Sequence, residues 1–154
     1  MSRGLISPLQ QPVTMDTDDQ AQSAKSELLL RSTPIFISEI SPTKEQLSGC
    51  CIRTVISLVW PYSSSTKSLS FLLSERDFRL HNGKGQVKAT FHGPAAERVA
   101  ETRAGIGDEV TLSLEGSTLV ENKETTRALG KGIDWDVHFD SRVFLEVTFP
   151  SLRI

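Results

Sequence analysis

At 154 residues, with 38% hydrophobic and 23% charged residues, the chain has the make-up of one globular domain rather than of a fibrous or disordered protein. A formal net charge of −2 argues against a strongly electrostatic nucleic-acid binder. No apolar run approaches the roughly 18 residues of a membrane span. Leu28-Leu29-Leu30 is too short for a signal-peptide core, so the expectation is an intracellular protein without a membrane partner.

Residues 1–33, rich in Ser, Thr, Gln, Asp and Pro, read as a disordered leader, and residues 34–150 as the folded domain. Ile35-Phe36-Ile37 and Ile40 form an apolar patch expected to lie extended across the domain edge. From Cys51 the chain alternates with period two: Ile52, Thr54, Ile56, Leu58 and Trp60 share one side of a strand ended by Pro61. Ser63 to Thr66 make a turn, and Leu69, Phe71 and Leu73 alternate with polar or smaller neighbours in a second strand. After the turn Asn82-Gly83-Lys84-Gly85, residues Val87, Ala89 and Phe91 define a third strand with Lys88, Thr90 and His92 on its polar face. Pro94 and Gly105 bracket a helix of about three turns, with Ala95, Ala96, Val99 and Ala100 as its apolar stripe. Val110, Leu112 and Leu114 mark strand four. A polar stretch from Ser117 to Asp134 follows, and then a last strand region, Trp135–Phe139 and Val143–Phe149, interrupted near Asp140-Ser141.

Three strands, a helix and two strands is the element order of an all-β domain with one helix: a five-stranded Greek-key OB-fold barrel with the helix between strands three and four. OB barrels bind nucleic acids, proteins and sugars, so the fold leaves the ligand open.

Little in the sequence points to catalysis. No Gly-x-Ser-x-Gly elbow is present, and Gly83-Lys84 and Gly130-Lys131 lack the upstream glycine of a phosphate loop. The adjacent Cys50 and Cys51 point to opposite faces of an extended chain and read as free thiols, and three scattered histidines offer no zinc spacing. Asp134 and Asp136 share a strand face, where they would repel, bind a cation or stay solvated. No enzyme activity, metal or cofactor is expected.

Single-strand binding needs aromatic faces for bases and a few cations for phosphates. Residues 66–98 carry a net excess of three positive charges, and Lys123, Arg127 and Lys131 form a second loose cluster. Trp60, Phe71, Phe91 and Phe139 keep phase with apolar neighbours and read as core. Tyr62 and Trp135 read equally as a lid on the core or as a ligand platform, and Phe78 as a cap on the barrel end. His81, His92 and His138 read as solvated or as ligand contacts.

Several runs of residues are more specific. Val59-Trp60-Pro61-Tyr62-Ser63-Ser64-Ser65-Thr66 with Leu69-Ser70-Phe71-Leu72-Leu73 resembles the first hairpin of fungal telomere end-binding OB domains. Gly85-Gln86-Val87-Lys88, Phe91-His92-Gly93, Ile106-Gly107-Asp108-Glu109-Val110 and Trp135-Asp136-Val137-His138-Phe139 continue the resemblance to the protection-of-telomeres family over about residues 35–149. The resemblance implies binding of the G-rich single-stranded telomeric overhang, protection of chromosome ends and a nuclear location, with other telomere-complex proteins as further partners. It implies DNA lying between the loops Pro61–Ser68 and Ser117–Asp134. On it, Tyr62, Lys67, Lys88, His92 and Trp135 are the first candidates for contact with DNA. Arg79, His81, Lys123, Arg127, Lys131 and His138 follow, by charge, ring type and position. The competing reading is an OB module that docks a protein, through the same groove or the Ile35–Ile40 patch.

Overall fold

In a computed structural model, which describes residues 28–77, 85–122 and 132–148, every alternating run becomes a strand of one sheet. The strands are β1 (Thr33–Pro34), β2 (Cys50–Ser63), β3 (Ser68–Glu75), β4 (Gln86–His92), β5 (Glu109–Ser113), β6 (Thr118–Glu121), β7 (Trp135–Phe139) and β8 (Leu145–Thr148). One helix, α1 (Gly93–Glu101), separates β4 from β5 and packs on β4 and β3. The hydrogen-bonded order is β6-β7-β4-β3-β2-β5-β8, with β1 parallel to β2. β2 pairs antiparallel with β3 and β5, while β4 pairs parallel with β7. The protein is thus mostly sheet with one helix, in an OB-like arrangement.

Among the described residues eight strands replace the expected five, and their ladder is an open path rather than a closed ring. The last strand region divides at residues 140–144: β7 joins β4 on one side, and β8 joins β5 on the other. β6 arises inside the stretch expected to be loop, because Leu119 packs against the core while Thr118 and Val120 stay outside. The expected extended patch at 35–40 instead makes a 3-10 turn over Ile37–Glu39 that drives Ile37 and Ile40 fully into the core. The Ile37 N–H donates to Oε2 of the buried Glu75, which ties this segment to the end of β3. Of the leader, residues 28–31 form a helical turn with Leu29 buried, and residues 1–27 lie outside the described residues.

The core is a row of rings from neighbouring strands. Phe71 meets Phe91 edge-on with centroids 5.7 Å apart, and Phe91 stacks on Phe139 at 5.3 Å. Ile52, Ile56, Leu73, Val87, Val110, Leu112 and Val137 fill in around them, and Ala95, Ala96 and Val99 of α1 pack against the same cluster. Cys50 and Cys51 are free and buried, and burial pushes the Cys51 thiol above its ordinary pKa. The helix stops at Glu101, short of Gly105, where the Thr102 hydroxyl donates to the Val99 carbonyl at 2.6 Å.

Two irregularities in β2 decide what the outer face carries. Ile56 pairs with Leu73 but Leu58 with Leu72, so Ser57 is an inserted residue, a β-bulge. Beyond it the strand changes faces: Val59 packs on the core, while Leu58 and Trp60 turn outward, 47% and 41% exposed. The expectation of one face from Ile52 through Trp60 therefore fails at Ser57, and Trp60 is not a core residue. A second shift lies between Trp60 and Ser63 and absorbs Pro61, which has no N–H to donate, so β2 runs past the proline. Gly107, with φ +94, donates its N–H to the Ile56 carbonyl, and the Ile56 N–H donates to the Asp108 carbonyl. That Gly-Asp turn holds the chain at the bulge, in a conformation that glycine adopts without strain.

Candidate nucleic-acid interface

Residues that alternate with the core positions form the outer face, and the register aligns them into rows. One row runs Trp60, Ser70, Thr90, His138 and Thr118 across β2, β3, β4, β7 and β6. At the usual spacing between strands it is about 19 Å long. Its centre is a floor of hydroxyls, Ser70 Oγ to Thr90 Oγ1 at 2.9 Å, both buried. A second row runs Leu58, Leu72 and Lys88; across β4 and β7, Lys88 and Asp136 each precede the paired Ala89 and Val137, and Asp136 pairs with Val120. A third row, toward the β2–β3 turn, holds Ser63, Ser68 and His92.

Three large apolar side chains stand exposed on this face: Leu58, Trp60 and Val120. Lys88 reaches over Leu72 and places its ammonium 4.6 Å from the centre of the Trp60 ring, a cation–π contact that holds the indole in place. His92 and His138 stack at 5.1 Å with nearly parallel rings, and His92 Nε2 lies 2.9 Å from His138 Nδ1. One imidazole donates and the other accepts, so the intact pair carries at most one extra proton. Burial first, then the like charge of His92, holds His138 below the ordinary histidine pKa. Asp136 accepts from Asn122 Nδ2 at 3.2 Å, and burial raises its carboxyl above the usual carboxylate range, against the pull of Lys88 and His138. The chemistry of the face is therefore that of a hydroxyl-floored track with one exposed indole, a histidine pair, one fixed cation and one carboxylate within these rows.

Of the residues expected to contact DNA, Lys88, His92 and His138 come together here. Lys67 borders them, exposed at φ +53 in the β2–β3 turn, and its carbonyl accepts from the N–H of Gly93, next to His92. Tyr62 is exposed near the second irregularity of β2. Trp135 departs from the group: it alternates with Asp136 and His138, and its ring packs half-buried against the core. Arg79, His81, Lys123, Arg127 and Lys131, like Phe78, lie outside the described residues. Sequence reasoning missed Trp60 and Leu58 as surface residues. The available signal was the unbroken apolar run Leu58-Val59-Trp60, which no regular strand can place on a single face. Among the described residues no group of three or more metal-ligating side chains occurs, and Asp134 and Asp136 make no such cluster.

Residues 30–152 match the model of a family described as a domain of unknown function, DUF8502. No curated protein matches the sequence. Among solved structures, the fold resembles Pot1pC of Schizosaccharomyces pombe bound to ssDNA (CGGTTACGGT), with a TM-score of 0.50 and 10% identity over 79% of this chain and 91% of that one. It also resembles fission yeast Pot1 with ssDNA, again at a TM-score of 0.50 and 10% identity over 79% of this chain. Only 41% of that second chain is covered, so this protein spans about two-fifths of its length. At such identity it is the fold that is shared.

Proposed function

We propose that this chain, which belongs to the DUF8502 family, binds single-stranded DNA along the outer face of its sheet. The observation that carries the reading is the row from Trp60 to Thr118, which lines up an exposed ring, hydroxyls and one imidazole of a stacked histidine pair across five strands. Unpaired bases offer flat faces to such rings and polar edges to such hydroxyls, whereas a duplex hides its bases in the stack. Two fold neighbours crystallised with ssDNA support the same reading.

The finer form of the proposal is a G-rich telomeric overhang as the ligand, protection and maintenance of chromosome ends as the role, and the nucleus as the location. The protein would act by holding the strand, not by chemistry upon it. Fluorescence anisotropy with G-rich, C-rich and scrambled oligomers tests this: the G-rich strand binds best, and indifference to all three would sink the reading.

One observation favours a second reading, an OB-like module that docks another protein of a telomere or replication complex. The chain is nearly neutral, with a formal net charge of −2, and a protein surface does not demand a cationic track. Capture of a partner that survives nuclease treatment would favour this reading over the first.

A further inference from the structure

We infer that Lys88 and Asp136 form a base-reading pair that selects guanine beside the Trp60 ring. The inference rests on the single-strand interface proposed above and assigns the specificity of one of its positions.

The two residues face outward on the adjacent parallel strands β4 and β7, each directly before the paired Ala89 and Val137. Their charges are opposite, yet the pair is open: the Lys88 ammonium lies over the Trp60 ring at 4.6 Å, while the Asp136 carboxylate takes its hydrogen bond from Asn122. The Asn122 amide fixes Oδ1 at 3.2 Å and thereby orients the group, leaving Oδ2 and the remaining lone pairs to accept from a ligand. Burial that disfavours the charged carboxylate makes added donors there valuable, because a half-desolvated anion gains most from each hydrogen bond.

The surroundings fit a base better than a peptide or a sugar. Leu58 and Trp60 supply exposed apolar surface in the same and the neighbouring row, and Leu72 floors the gap between them and Lys88. A flat ring packed against the part of the indole that Lys88 leaves open would direct its edge diagonally, past Lys88 in the neighbouring row, toward Asp136 on β7. From the Trp60 side the edge would meet a cationic donor, then a carboxylate with two acceptor oxygens. Guanine is complementary to that order: O6 accepts, and N1–H and the N2 amino group are two adjacent donors. Thymine has a single N3–H between two acceptors. Adenine and cytosine each offer one amino group beside an acceptor, which would oppose the carboxylate. Only guanine brings two adjacent donors to Asp136 while giving Lys88 an acceptor.

The test is anisotropy on the whole chain with a G-rich decamer and with copies in which each guanine in turn is replaced by inosine, which lacks only the N2 amino group. Wild type should lose several-fold in affinity at one position, and roughly ten-fold or more when that guanine becomes cytosine. Asp136→Asn, with a thermal melt matching wild type, should abolish the penalty at that position and leave the others untouched. Lys88→Met should weaken guanine and inosine alike there, because both keep O6. Equal affinity of wild type for guanine and inosine at every position overturns the inference without any variant, and so does a guanine preference unchanged in Asp136→Asn. Failure of wild type to bind any single strand is a different result: it removes the interface itself, and the base-reading pair with it.

Discussion

Trp60 and Phe91 are both large rings in one sheet, but they answer to different forces. Phe91 is fully buried between two other rings, so Phe91→Ala should cost about 3–5 kcal/mol of stability, read as a lowered denaturant midpoint. Trp60 is 41% exposed and rests beneath a lysine, so Trp60→Ala should leave the midpoint almost unchanged. It should instead weaken binding of a single strand by about 1–3 kcal/mol, the worth of one stacked base. A large loss of stability in Trp60→Ala would place the ring back in the core. The histidine pair makes a separate prediction. His138 is held below the ordinary value of 6.5 in the folded protein, so the unfolded chain takes up the proton first as pH falls. Its contribution to stability is complete above pH 6.5 and is lost as pH drops from there toward the lower folded value. Urea melts from pH 7.5 to 5 should show that slope in wild type and a flatter profile in His138→Gln.

Along single elements, β2 is where the sequence is hardest to read. Period-two alternation identifies β2, β3, β4, β5 and both halves of the final strand region, and Pro94 with the alanine stripe identifies α1. Alternation says which residues share a face only while the register is unbroken, and Ser57 breaks it. The bulge depends on its partners, Leu72 and Leu73 on one side and the Gly107-Asp108 turn on the other, both distant in sequence. That is why Lys88, His92 and His138 were legible from the polar side of their strands while Trp60 was not. β6 and the burial of Ile37 escaped for a related reason: four residues or one turn carry too short a pattern to show a period. The change of face is directly testable. Val59→Asp puts a carboxylate against the core and should cost roughly 2–3 kcal/mol, while Leu58→Asp, one residue earlier, should fold like wild type. Equal damage from the two variants would mean that the strand does not change faces at Ser57.

For the whole molecule, charge sets the character of the proposed binding. Of the cations assigned to the interface, Lys67 and Lys88 lie among the described residues, and the Lys88 ammonium is held over the Trp60 ring. Each phosphate neutralised on a single strand contributes about −0.7 to the slope of log affinity against log salt. A slope near that value is expected if Lys67 alone makes phosphate contacts. A slope of about −3.5 would assign phosphates to Arg79, Lys123, Arg127 and Lys131 as well, and their alanine variants should each flatten it. The division of the last strand region has a different consequence, one of timing. The β2–β3 hairpin pairs neighbours in sequence and can zip up at once, but β7 must find β4, and β8 must find β5, across long intervening stretches of chain. Closing such loops spends entropy before any contact repays it, so the rate-limiting event of refolding should be the arrival of this one ribbon on both flanks of a sheet already begun.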